Sequence, residues 1–184
     1  MKILGILVVA TAGVALLVAG IATGRGPAKV VVPVVRPCVA WAGPQSQVAG
    51  PKFERIRTQE QWEKLWLLHT GEQAQFGAYG AVGVPVVDFD RFEVVACFRG
   101  DSWNSNGEHI ESIEPGPDRV LIRYDSMSYQ TAGPDGGGVK VKPFGIWVID
   151  RTDMPIVMEE NVQGLIGQPP IWKEMHRFDG PGKK

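Results

Sequence analysis

Three histidines, two cysteines and a scatter of acids from residue 88 to residue 108 are the side chains of this 184-residue chain whose types could support chemistry. Three imidazoles suffice to hold a catalytic zinc with one open position. No two of His69, His109 and His176, however, stand at ligand spacing. His69 falls on the apolar stripe of a helical pattern, where a hydrogen-bonded core histidine is expected, and His109 and His176 read as partly exposed strand residues. Asp88, Asp90, Asp101 and Glu108 offer carboxylates for acid–base work, the first two on one face if the segment is extended. At the start of a strand, Asp more commonly caps a turn through its own backbone. Asp135, in Gly133-Pro134-Asp135-Gly136, is turn chemistry. Cys97 sits inside Val94-Val95-Ala96-Cys97-Phe98, a setting that raises a thiol pKa, and no base adjoins it. Gly-x-Ser-x-Gly, a Gly-rich phosphate loop opening a helix, and His-Glu-x-x-His are all absent. No catalytic residue, metal ligand or cofactor is assigned, and the expectation is a protein that is not an enzyme. A hydrolase using Asp88, Asp90 or the histidines is the weaker alternative.

Binding offers more. Trp103 is set among Ser102, Asn104, Ser105 and Asn106 between Gly100 and Gly107. An aromatic on a polar loop presents a flat apolar face with hydrogen-bonding neighbours, as sugar and peptide sites do. The competing reading folds the ring down over the edge of the core. Tyr129 and Gln130, on the Gly-rich loop, are candidates to line the same groove. Trp103, Asn104, Tyr129 and Gln130 are therefore the candidate binding residues.

The elements that must position them are legible in part. Residues 58–69 read as a helix, since Thr58 and Gln61 form a capping box and Trp62, Leu65, Trp66 and His69 recur at i, i+3, i+4 and i+7. After Gly71, small residues with Gly77, Gly80 and Gly83 read as an irregular loop. Strand signals follow over 92–99, 119–124 and 139–149, with Pro143 at a bulge or edge, and weaker ones over 155–159 and 171–177. Pro115-Gly116-Pro117-Asp118 is short enough for a hairpin connection. The expected class is α+β: a single domain with one amphipathic helix packed on a mainly antiparallel β-sheet, drawn as a meander.

Composition sets the organisation. With 44% hydrophobic and 21% charged residues, 23 Gly and 14 Pro, the chain fits one globular domain plus loops, and excludes collagen, coiled coil and wholesale disorder. Residues 1–53 carry five cations and no acid, so the remainder carries a net charge of −6. That sign repels phosphate backbones, and nucleic acid is set aside as a partner. The uncharged run over residues 3–24 is an export signal, cleaved after Ala22, or a membrane anchor, since about 20 residues at ~1.5 Å each span ~30 Å of hydrocarbon. Residues 1–22 are thus a signal peptide or anchor, 23–50 a Pro-rich tether with one short strand over 30–35, 51–179 the domain, and 180–184 a flexible tail. The domain is expected outside the cytoplasm, periplasmic or secreted, with membrane contact only through the N-terminal segment. An oxidising compartment allows Cys38 to pair with Cys97, but a free Cys97 acting as a small hydrophobe is favoured. The Leu-x-small-Cys pattern of a lipidated cysteine is missing before Cys38.

Trp62…Trp66…His69, Pro85-Val86-Val87-Asp88-Phe89, Val94–Gly100 and Lys142-Pro143-Phe144-Gly145-Ile146-Trp147-Val148-Ile149 together give a pattern. The chain resembles the C-terminal domain of the PrcB family, exported bacterial proteins named for a subunit that associates with and stabilises a protease complex. The resemblance runs from about Phe53 to Arg151 and includes Gly107–Ile113 and Val120–Tyr124. It departs at Asn106-Gly107-Glu108, where the family has a Gly-Gly-Tyr-like turn, at Ser126, where a Pro usually stands, and after Arg151, where Pro155, Pro169 and Pro170 have no counterpart. It implies an exported, non-enzymatic accessory domain that binds and stabilises another exported protein such as a protease. The alternative is a small-ligand or glycan-binding module built on Trp103.

Overall fold

The computed structural model describes residues 36–71, 83–131, 137–165 and 167–180. The run over 3–24, the strand expected over 30–35, most of the loop after Gly71 and residues 181–184 lie outside those ranges. No helix among the described residues is long and apolar enough to cross a membrane.

The helix forms where its signals stand. Helix α1 covers Gln59–Thr70, and Thr58 caps it in extended conformation, its Oγ1 accepting from Gln61 N at 3.3 Å. Gln61 Oε1 returns the bond to Arg57 N at 3.1 Å, one residue earlier than in a standard capping box. Gly71, at φ +66°, closes the other end by donating to Leu67 O at 2.9 Å, a left-handed stop that glycine adopts without steric cost. Trp62, Leu65, Trp66 and His69 are buried, as the 3.6-residue period requires.

The described residues also form ten strands: β1 (Val39–Gly43), β2 (Lys52–Ile56), β3 (Phe92–Phe98), β4 (Ser102–Trp103), β5 (Ser105–Pro115), β6 (Val120–Ser128), β7 (Lys140–Val141), β8 (Phe144–Asp150), β9 (Ile156–Asn161) and β10 (Trp172–Phe178). They make a first sheet ordered β1-β8-β3-β2, a second ordered β10-β9-β6-β5, and a two-stranded ribbon β4-β7. Every pair is antiparallel except β6·β9. The α+β class is what the chain adopts. The order within the sheets is not that of a meander, because β8 inserts between β1 and β3.

The first sheet is covered on both faces, which is why its strands read as unbroken apolar runs. Val94, Ala96, Phe98, Ile146 and Val148 pack with Trp41, Trp62, Leu65 and Trp66 on the helix side. Val95, Cys97, Trp147 and Ile149 meet Ile113, Ile122, Tyr124, Ile156 and Met158 of the second sheet. Trp41, Trp62 and Trp66 meet with ring centroids 5.0–5.7 Å apart.

Two expectations change. The stretch read as tether over 23–50 contributes β1, paired along its whole length with β8, and the buried Val48. Its prolines hid this, but Pro37 and Pro44 fall just outside the strand, where a missing N–H costs nothing. The single strand expected over 139–149 is two: Pro143 interrupts it, so β7 pairs with β4 while β8 enters the first sheet.

Candidate functional site

Strand β3 ends against a charged residue. Arg99 follows Phe98, its backbone N donating to Pro143 O at 3.1 Å. Its guanidinium crosses to the second sheet, where Nε and Nη2 donate to Glu108 Oε1 and Oε2 at 2.8 and 3.1 Å. Nη2 also donates to Glu160 Oε1 at 2.6 Å. Glu108 is fully buried and Glu160 is 8% exposed. A bulge in β5 between Ser105 and Glu108 aims the latter inward. Gly107 makes that possible: at φ +117° it lies so close to β1 that a Cβ would stand 2.5 Å from Gly43 N.

Beside Arg99 lies an open cleft of about 630 Å³, bounded by the ends of β6 and β9 and by residues 162–165, 167 and 168. Asp125 Oδ2 accepts from Asn161 Nδ2 at 2.8 Å, and Asn161 Oδ1 accepts from Gln163 N and Ile171 N at 3.0 and 3.1 Å. Ser126, Ser128 and Gln163 add polar groups, and the exposed side chains of Val162 and Leu165 form an apolar rim.

The candidate binding residues form a platform next to this cleft. Trp103 is 56% exposed and stands opposite Lys140 in the β4·β7 ribbon, with Lys140 Nζ 5.4 Å from the ring centroid. A Cβ on Gly138 would lie 2.7 Å from the indole, so the ring rests on backbone. Asn104 is the clamp: its N donates to Val139 O at 2.9 Å, its Oδ1 accepts from Val139 N at 2.7 Å, and its O accepts from Tyr129 N at 2.9 Å. Tyr129 is half-buried and Gln130 exposed. None of the four lines the cleft, although Ser102 and Ser128, each preceding one of them, do.

The groups considered for chemistry have structural duties. His69 is buried, with Nδ1 2.9 Å from Ser46 Oγ and its ring centroid 4.1 Å from that of Phe144. Burial pushes its pKa down to about 4, so the imidazole is neutral at ordinary pH. His109 meets Glu111 at 2.6 Å on the surface, and His176 stacks on Phe53 with centroids 4.9 Å apart. Asp88 Oδ1 accepts from Asp90 N at 3.1 Å, the turn cap expected of it. Asp101 stands 4.0 Å from Lys142 Nζ, on the surface. Both cysteines are free, Cys38 exposed and Cys97 buried. Burial, reinforced by Glu108, pushes the Cys97 thiol up to about 12, and burial likewise raises the Tyr124 phenol.

Arg99, Asp125, Glu160 and Asn161 were not singled out in the sequence. Glu160 carries one signal, an acid placed where strand alternation calls for an apolar residue in Ile-Val-Met-Glu-Glu-Asn. Comparison with known proteins assigns the chain to no group: no protein-family model, no curated protein and no solved structure matches it.

Proposed function

We propose that this chain is an exported accessory module, built as a single domain, that binds another protein without chemistry of its own. The observation that carries this reading is the exposed Trp103, held on a short ribbon beside an open polar cleft with an apolar rim. Tryptophan and arginine are the residues most enriched where protein interfaces concentrate their energy. The PrcB-like pattern supports a protease complex as the partner. Stabilisation then follows from linkage alone: a partner that recognises only the folded state adds about 2.7 kcal/mol at a hundredfold excess over the dissociation constant.

The test is a photo-crosslinking amino acid at Trp103, and separately at Lys64 on the exposed side of α1, in cells that carry the native protein. Capture of one protease-complex subunit from position 103 and not from position 64 supports the reading. Equal capture, or none, removes it. A glycan or other small ligand on the same indole is the second reading, favoured by the ring's exposure. Glycan binding that Trp103→Ala abolishes without loss of fold would select it.

A further inference from the structure

The first sheet ends on β1 and β2, the second on β5 and β10. Strands β1 and β5 close on each other where Gly107 lies against Gly43, and β10 is broken by a bulge between Glu174 and His176, a distortion that blunts an edge. Strand β2 has neither protection. Arg99 N donates to Pro143 O at 3.1 Å and Arg151 N to Arg91 O at 2.9 Å, at the two ends of the β3·β8 ladder. The odd-numbered residues of β3 therefore bond to β8, and Val94, Ala96 and Phe98 bond to Ile56, Glu54 and Lys52 of β2. That parity points the N–H and C=O of Phe53 and Arg55 away from the sheet, where neither backbone bonds to a described residue.

The side chains beside this edge say what it accepts. Lys52 and Glu54 pair at 2.5 Å on the helix side, both partly exposed. A groove of about 240 Å³ lies between them and Gln61, Lys64, Leu65 and Leu68 of α1, and Leu68 is 49% exposed. A second copy of β2 laid antiparallel has few registers open to it, because outward donors must meet outward acceptors. Registers that set Lys52 opposite Lys52, or Glu54 opposite Glu54, bring like charges face to face. Centred on Arg55, the pairing needs Arg57 N, which Gln61 Oε1 already holds at 3.1 Å. Centred on Phe53, it places Lys52 of each copy opposite Glu54 of the other, at the non-hydrogen-bonded positions where side chains approach most closely. Phe53 N and O then exchange bonds with the same groups of the second copy. Arg55 N reaches Pro51 O, and proline brings no N–H that the pairing would leave unmet.

We propose that this chain pairs with a second copy of itself through β2, antiparallel and centred on Phe53, so that the first sheet continues across a two-fold axis into that of the other copy. Such a contact must be self-complementary, and the Lys52 and Glu54 charges make it so. Phe53 meets Phe53 across the axis on the face toward the second sheet, an aromatic cross-strand pair. Both α1 helices lie on the opposite face, with Leu68 of each on the side of the added strand. The inference goes beyond the reading of Trp103 and does not draw on it.

Sedimentation velocity of the full chain, in a density-matched non-ionic detergent that covers the apolar run over 3–24, tests the pairing. The wild type is expected to show a concentration-dependent equilibrium between monomer and dimer. Lys52→Glu and Glu54→Lys each weaken it about tenfold or more, since both symmetry-related pairs turn repulsive. An equimolar mixture of the two variants restores the dimer, because each charge then faces its opposite. With Cys38→Ser as background and Cys97 buried, oxidation joins Lys52→Cys to Glu54→Cys as a disulfide-linked dimer and leaves either variant alone unlinked. That measurement fixes the register and serves if a charge variant does not fold. A wild type that stays monomeric, a dimer that both single charge variants keep, a mixture that does not re-form it, or disulfide linkage without regard to the 52–54 pairing would overturn the assignment.

Discussion

Arg55 and Glu93 meet end to end: Nε and Nη2 of the guanidinium donate to Oε2 and Oε1 of the carboxylate, both at 3.0 Å. The carboxylate side chain has no solvent exposure. Arg55 goes on to the backbone oxygens of Met154 and Asp179 at 3.2 and 3.1 Å, so one side chain ties β2 to the last strands of the chain. Removing one partner of a buried pair leaves an uncompensated charge. Glu93→Ala should therefore lower stability by about 3–5 kcal/mol. Urea unfolding measures it, and a loss under about 1 kcal/mol would show the pair to be dispensable.

Stability should fall in acid through His69. The unfolded imidazole takes a proton near pH 6.5 and the native one only near pH 4. Between those values the unfolded state binds more protons, so stability is lost as pH drops through that window and levels off below it. The effect is about 3 kcal/mol. Thermal melts of wild type and His69→Phe should converge in slope above pH 6.5 and differ below it; parallel profiles would exclude His69 as the cause.

The thiols should differ sharply in reactivity. With its pKa pushed up to about 12, Cys97 is ionised in about one molecule in ten thousand at pH 8. Cys38 is exposed. Iodoacetamide should add one group to the folded chain and two in denaturant, read by intact mass. A second adduct on the folded protein would contradict the burial of Cys97.

Gly107→Ala tests the approach of β5 to β1. The new methyl would stand 2.5 Å from Gly43 N and 2.9 Å from Phe144 O, at a φ of +117° that alanine rarely adopts. A loss of about 3 kcal/mol is expected. Since Gly107 aims Glu108 at Arg99, amide signals around Arg99 should shift as well; a variant as stable as wild type would remove this role.

What the sequence showed depended on how local each cause was. Helix α1 was legible because its cap, its stripe and its stop lie within fourteen residues of one another. Strand β3 announced itself through Val94–Phe98, apolar because both faces are covered. Strand β1 carries no such mark: Val39-Ala-Trp-Ala-Gly43 becomes a strand because β8 offers it an edge. The cleft was hidden for the same reason. Arg99 follows β3 while Glu108 lies in β5 and Glu160 in β9, and only the packing of the sheets brings them within hydrogen-bond reach. Trp103 stood out because a large aromatic among polar residues is locally odd, whatever the fold.

The insertion of β8 between β1 and β3 dictates an order of events when the polypeptide is delivered from its N-terminal end. Strand β1 is made early, yet the strand it pairs with starts at Phe144, about a hundred residues later. Until then Trp41 lies on no paired strand, although β3, paired with β2, already offers Val94, Ala96 and Phe98 to the indoles of α1. Contacts of such long range also slow closure. The aromatic packing of β1 on α1 is therefore completed only when the eighth strand arrives.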